Sequence, residues 1–209
     1  MEVSIDRFVT GPIDTNTYVV SREDYSGCLV VDPSSGCDEV LAYIRENGLT
    51  VEGVLLTHGH FDHVLGVEEI TAVFPRAGVW VHPDETALLG DPMYNGGVMM
   101  GLDFRYTEPV EHLAEGPMTV GGYTFEVRHV PGHSPGGCVF VFDGNCLSGD
   151  TVFAGSIGRT DFPGCDGALF MRGIREKLLT LPDETVLWPG HMSRTTVGRE
   201  KRLNPYFRG

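Results

Sequence analysis

Four residues of metal-ligand type stand within six positions of this chain, in the run His58-Gly59-His60-Phe61-Asp62-His63. Imidazole and carboxylate are donors that zinc, iron and manganese accept. His58, His60 and Asp62 alternate, which predicts that they share one side of an extended segment, with His63 following where the chain turns into a helix. So short a segment cannot wrap all four donors round one tetrahedral ion, but it can serve two neighbouring ions. Each ion then needs donors from elsewhere, and three are present: His133 in Val130-Pro131-Gly132-His133, Asp150 in Leu147-Ser148-Gly149-Asp150, and His191 in Leu187-Trp188-Pro189-Gly190-His191. Two divalent ions side by side can hold a hydroxide between them at neutral pH and polarise a carbonyl. The chemistry expected is hydrolysis.

These donors share a placement: each follows a β-run, and strand ends deliver several side chains to a common face. Apolar periodicity and turn residues predict strands at 4–9, 16–21, 28–31, 54–56, 78–81, 118–120, 124–130, 138–142, 145–148 and 185–188. Helices are expected at 38–47, capped by Asp38 and stopped by Gly48, and at 63–74, 167–179 and 196–203. Asp143-Gly144 marks a hairpin. Residues 83–104 read as loop, with one helical turn at 84–89. With no repeat and no internal linker, residues 1–209 are expected to form a single α+β domain, sheets inside and helices outside.

The bulk composition narrows the function. At 209 residues and 41 % apolar the chain can build a buried core. A net charge of −14 makes it a poor nucleic-acid binder. Five of its fifteen basic residues, Arg194, Arg199, Lys201, Arg202 and Arg208, crowd the last sixteen positions. They make either a solvated helix or a positive rim for an anionic substrate. The N-terminal residues do not resemble a signal peptide, and no apolar run is long enough for a membrane span, so a cytoplasmic protein is expected. Five cysteines without a CxxC pair argue against disulfides and a cysteine zinc site. Cys165, in a Gly/Asp-rich loop, is the one to watch. His82, His112 and His129 lack a partner motif and are expected to be structural, with His129 packed under the metal loop.

The pattern His-x-His-x-Asp-His resembles the hallmark of the metallo-β-lactamase superfamily. The resemblance extends through Pro131-Gly132-His133-Ser134-Pro135-Gly136, Ser148-Gly149-Asp150-Thr151-Val152-Phe153, Gly158-Arg159-Thr160-Asp161-Phe162-Pro163 and Pro189-Gly190-His191. The later blocks and the tail are similar to the glyoxalase II-like branch, in particular to short, single-domain bacterial hydroxyacylglutathione hydrolase-like proteins. The resemblance implies a four-layer αββα sandwich with the metal site at the sheet edge. It implies two divalent ions, zinc first, with iron or manganese as alternatives. His58, His60 and His133 would hold one, Asp62, His63 and His191 the other, and Asp150 would bridge them. Asp62 would also orient the attacking hydroxide, making it the catalytic residue.

Some relatives are excluded. The common class of true β-lactamases carries Cys where Asp150 stands, and flavo-di-iron proteins carry Glu in place of His60. Full-length glyoxalase II holds glutathione with a C-terminal helical domain for which this chain has no room after His191. The leading expectation is a thioester hydrolase acting on a small S-(2-hydroxyacyl)thiol, with glutathione-derived thioesters among the candidate substrates. The alternatives are a mononuclear-iron persulfide dioxygenase using His58, His133 and Asp150, a lactonase or other ester hydrolase, and a non-enzymatic partner-binding domain with structural metals. Arg159 and Arg194 are candidate substrate contacts, although Arg159 can equally pair with Asp161 and hold its own loop. Residues 90–104, with Met93, Tyr94, Met99, Met100 and Phe104, form either an apolar cover for the metals or a packed surface loop.

Overall fold

Consecutive fully buried residues, such as Val19-Val20 and Leu29-Val30-Val31, require strands covered on both faces. The computed structural model describes residues 3–208 and shows what covers them; Met1, Glu2 and Gly209 lie outside the described residues. The first half runs β1 (Ser4–Thr10), β2 (Thr15–Arg22), β3 (Tyr25–Val31), α1 (Asp38–Glu46), β4 (Thr50–Leu55), α2 (Phe61–Val64), α3 (Val67–Val73), β5 (Gly78–Val81), α4 (Thr86–Leu89) and β6 (Glu111–His112). Its strands form one sheet in chain order, antiparallel from β1 to β3 and parallel from β3 to β6.

The second half runs β7 (Gly116–Val120), β8 (Tyr123–His129), β9 (Cys138–Phe142), β10 (Asn145–Gly149), the short pair β11 (Val152–Phe153) and β12 (Ser156–Ile157), α5 (Gly167–Gly173), β13 (Val186–Pro189), β14 (Thr195–Thr196) and α6 (Val197–Leu203). It makes a second sheet in the order β14-β13-β10-β9-β8-β7, in which β10 and β13 are parallel.

Alternation along each strand sorts the core into three layers. Val20, Leu29, Val31 and Leu55 of the first sheet meet Tyr123, Phe125, Phe140 and Leu147 of the second. Their neighbours Val19, Val30 and Val54 face the other way, onto Val40 and Ile44 of α1 and Val67 and Ile70 of α3. Behind the second sheet, Val139, Cys146 and Leu187 pack on Phe170 of α5, Ile174, Leu178 and Val197 of α6. The result is the four-layer αββα sandwich. Among the described residues no helix is long and apolar enough to cross a membrane.

Three local expectations are corrected. The helix expected over 63–74 begins earlier, at Phe61, so Asp62 lies on a helical turn and not on an extended segment with His58 and His60. It also breaks at Leu65-Gly66, because Gly66 passes under the Ser34 carbonyl, which a Cβ there would meet at 2.1 Å. Asp38 does not cap α1. The cap position is Cys37, and the Glu69 carboxylate accepts from the Gly36 and Cys37 amides instead. Finally, the helix starting at Gly167 widens to a π turn over Ile174–Leu178.

Candidate metal centre

All seven predicted donors converge at one end of the two sheets. The chain leaves β4 through Leu56 and Thr57 to reach His58, leaves β8 through Pro131-Gly132 to His133, leaves β10 directly at Asp150, and leaves β13 through Gly190 to His191. Carboxyl ends of strands are the usual place for sites in such folds. Backbone bonds lock the loops together. The Cys138 amide donates to the Thr57 carbonyl at 2.8 Å. Fully buried Glu85 accepts from the Gly59 amide at 2.6 Å and from the Gly136 amide, so one carboxylate ties the His58–His60 turn to the His133 loop. The His191 loop is held by β2. The Asn16 side chain donates to the Pro189 and Met192 carbonyls at 2.8 and 2.9 Å, and the Tyr18 hydroxyl donates to Pro189 O at 2.6 Å.

The donor atoms form overlapping triads, His58/His60/His133, His58/His63/Asp150 and Asp62/His63/His191, each with its ligand atoms within 4.8 Å of one another. The Asp150 carboxylate lies between the outer two. Its Oδ1 is 3.4 Å from His63 Nε2, and its Oδ2 is 3.7 Å from both His133 Nε2 and His191 Nε2. Asp62 Oδ2 is 3.2 Å from His63 Nε2 and from His191 Nε2 and accepts from the Thr15 hydroxyl at 2.9 Å.

Outer contacts fix which ring nitrogen points inward. Nδ1–H of His133 donates to the Arg159 carbonyl at 2.7 Å. Asp32 Oδ2 receives both His63 Nδ1–H at 3.0 Å and the Thr57 hydroxyl at 2.6 Å. The Thr57 oxygen then faces His58 Nδ1 at 3.1 Å as an acceptor. His58 Nε2 and His133 Nε2 are therefore both bare, and they face each other at 3.3 Å. Burial, reinforced for His58 by the neighbouring imidazoles, holds both below the ordinary histidine range and pushes His60 down to about 3. No proton stands between these lone pairs, and a shared cation is what relieves them. His63 Nε2 and Asp150 Oδ1 are likewise buried without a hydrogen-bond partner. Gly190 leaves room for this crowding: a Cβ there would lie 2.3 Å from Asp150 Oδ1. Buried carboxylates and unpaired imidazole nitrogens of this kind call for positive charge, so the residues present fit divalent ions.

The second triad differs electrically from the first. Burial pulls His63 down, but Asp62, Asp150 and Asp32 outweigh it and lift His63 well above its ordinary range. His191 is also raised, against its burial, by Asp62 and Asp150. Burial raises the carboxyls, but the same histidines hold Asp62 well below its usual range and Asp150 at about 2.

A cleft of about 470 Å³ opens over the donors. Arg159 lines it, but its guanidinium forms a bidentate pair with Asp161 at 2.7 and 2.9 Å and lies 3.9 Å over the Phe162 ring. Arg194 is not brought to the cleft: its guanidinium sits over Trp188, 5.2 Å from the ring centre. The basic tail is a solvated helix, with Lys201 and Arg202 paired to Asp183. The Cys165 thiol donates to the His133 carbonyl at 2.9 Å and so fastens that loop. His129 binds the Pro135 carbonyl at 3.0 Å, under the metal loop as expected, and stacks on His82. Residues 95–100 reach the cleft through Asn95, Gly96, Met99 and Met100.

Asp32, Thr57, Thr15, Glu85 and Asn95 escaped the sequence analysis. Asp32 had a signal, since it ends the apolar run Cys28-Leu29-Val30-Val31 as Asp150 ends its own strand. Glu85 carried none, because its partners are the Gly59 and Gly136 amides, 26 and 51 residues away, and Asn95 carried none because its partners are main-chain groups of an irregular loop.

With fold and site in place, comparison with known proteins gives the family. A model described as the metallo-beta-lactamase superfamily matches residues 10–191, and the chain belongs to that superfamily. It is 38% identical over 208 residues to the probable metallo-hydrolase YqgX of Bacillus subtilis, covering 97% of each chain. It is 32% identical over 195 residues to the hydroxyacylglutathione hydrolase GloC of Haemophilus influenzae, covering 88% of this chain and 89% of that one. Among solved structures, BLEG-1, a B3 metallo-beta-lactamase, superposes with a TM-score of 0.93 at 36% identity over 99% of this chain and 100% of that one. A di-iron-bound form of TTHA1623 gives 0.85 at 35% identity over 96% and 99%.

Proposed function

We propose that the chain is a metal-dependent hydrolase that cleaves a thioester of the S-(2-hydroxyacyl)thiol type. His58, His60 and His133 would hold one divalent ion, Asp62, His63 and His191 a second, and Asp150 would serve both. Ions bound there supply Lewis acidity and an activated water at neutral pH. Asp62, anchored by Thr15, accepts a hydrogen bond from the attacking water and sets its direction. Asp32 and the Arg159 carbonyl keep the Nε2 atoms of His63 and His133 turned inward. Phe162 and Phe153, edge-on to His60 and His191 at 5.4 and 6.1 Å, keep bulk water from the flanks of the donors.

The observation that carries the thioester reading concerns the leaving group. Of the residues lining the cleft, the only carboxyls are Asp62 and Asp150, both held as anions, and there is no Lys, Tyr or Cys. With His60, His133 and His191 engaged as metal ligands, no other acid lines the cleft to protonate a poor leaving group, whereas a thiol, with pKa about 8.5, departs as thiolate. The hydroxyacylglutathione hydrolase among its relatives supports the same class. The likeness to BLEG-1 favours β-lactam ring opening as a second reading on the same residues. The earlier exclusion rests only on the class with Cys at position 150.

The test is elemental analysis of the purified protein, with rates recorded on the same sample for an S-lactoyl thioester, a lactone and a β-lactam, and oxygen uptake with a glutathione persulfide. About two ions per chain with thioester cleavage in excess of the rest supports the proposal. One iron per chain with oxygen consumed and no thioester turnover replaces it with the dioxygenase. Asp150→Ala is expected to lose both metal and activity, and a fully loaded, fully active variant would falsify the site.

A further inference from the structure

The cleft has an unusual balance of walls. Of the residues lining it, Arg159 is the sole permanent cation, and Asp161 already neutralises it. Around the donors stand Ile13, Met99, Met100, Phe153, Ile157 and Phe162. Ile13, Met99 and Met100 are 39%, 64% and 49% exposed, a concentration of large apolar side chains at one mouth that water covers at a cost. The overhang that carries the methionines is firmly seated. Asn95, fully buried, donates from Nδ2 to Phe104 O at 3.0 Å and accepts from Gly97 N at 2.9 Å, while its carbonyl receives the Phe61 amide at the start of α2. The Phe162 ring supports Gly96 from below. A net charge of −14 repels anions at longer range.

Resting on the thioester reading above, we infer that the cleft recognises an apolar group of the substrate, packed among Ile13, Met99, Phe153, Ile157 and Phe162, and that it gains nothing from carboxylates on the thiol carrier. The substrate class is thus a 2-hydroxyacyl thioester whose acyl chain carries an apolar group, selected by that acyl half, whatever small thiol carries it. A carrier with two carboxylates would meet one guanidinium that already holds a carboxylate, in an exposed pair that contributes little to binding.

The experiment uses non-hydrolysable thioethers on the purified, metal-loaded protein. S-methyl and S-hexyl N-acetylcysteamine, which are uncharged, are compared with S-methyl and S-hexyl glutathione by titration calorimetry at 0.15 M salt. The two hexyl ligands are expected to bind within about threefold of each other, and each added methylene to tighten binding about two- to fourfold, the scale for burying a CH2 group. Met99→Glu, at an exposed position that does not threaten folding, is expected to weaken both hexyl ligands about tenfold, on the order of burying two or so methylenes. A glutathione ligand binding more than tenfold tighter than its neutral counterpart, affinity independent of alkyl length, or no binding of either hexyl ligand overturns the inference. Turnover of the matching S-acyl thioesters on the same preparation separates the two claims. Binding as expected with no thioester cleaved sinks the hydrolase and leaves the apolar preference standing. Cleavage indifferent to acyl length does the reverse.

Discussion

The rings of His63 and His58 lie 4.2 Å apart, centre to centre, and their pKa values are shifted in opposite directions. His58, His60 and His133 are pushed down by burial, so at neutral pH they offer bare nitrogens and a metal meets no competing proton. His63 and His191 are held up by Asp62 and Asp150, so a metal entering their triad must first displace protons. The sign follows: as pH falls, protons return first to the raised pair. On the proposed two-ion reading, acidification is therefore expected to strip the ions stepwise, one held by Asp62/His63/His191 leaving at higher pH than one held by His58/His60/His133. Elemental analysis after dialysis at half-unit pH steps checks this, and simultaneous loss of both ions would refute it. For the metal-free protein, the raised His63 contributes stability that is complete below the ordinary histidine value and is lost as pH rises through the elevated one. The depressed His58 and His60 oppose it, favouring unfolding as pH falls below that ordinary value.

At the scale of elements, the site is assembled by loops whose backbone is pinned from outside. Glu85, leading into α4, is the clearest case, since it closes the gap between the turn after β4 and the loop after β8. Glu85→Ala leaves two buried amides without an acceptor, at about 1–3 kcal/mol each. The melting temperature is expected to fall by roughly 5–15 °C, measurable by calorimetry, and an unchanged transition would remove Glu85 from the scaffold. The elements also explain what was legible. The seven donors were readable because Pro-Gly and Ser-Gly turns at strand ends mark exposed side chains in the chain itself. The strand positions followed from alternation and the β9–β10 hairpin from Asp143-Gly144; the order of strands within each sheet did not. What was not legible depended on distant contact. Gly66 breaks the helix because Ser34 lies over it, Glu69 takes the capping role given to Asp38, and Asp62 enters a helix because Phe61 N finds the Asn95 carbonyl. Arg194 looked like a substrate contact only because nothing local revealed Trp188 beneath it.

For the whole molecule, the first sheet's loops supply His58, His60, Asp62 and His63, and the second sheet's loops supply His133, Asp150 and His191. Metal held by these residues, as proposed, would act as a clasp across the central apolar layer. Ligand that binds only the folded state adds about 4 kcal/mol at a thousandfold excess over Kd. Removal with a chelator is thus expected to lower the melting temperature by roughly 8–15 °C, with recovery on adding zinc or iron back. Identical melting of stripped and loaded protein would place the ions outside the triads.

The buried Asn95 has one more consequence. It grips the 91–104 segment through main-chain groups, at Phe104 O, Gly97 N and Phe61 N, while the side chains of Met93, Tyr94, Val98, Met99 and Met100 are exposed, the last two at the mouth of the cleft. Mutations in those side chains are expected to leave the donors undisturbed. The fold thereby decouples diversification of substrate preference from conservation of the reaction centre, which makes this short stretch the natural site for drift, recombination or laboratory grafting to generate new specificities on an unchanged metal floor.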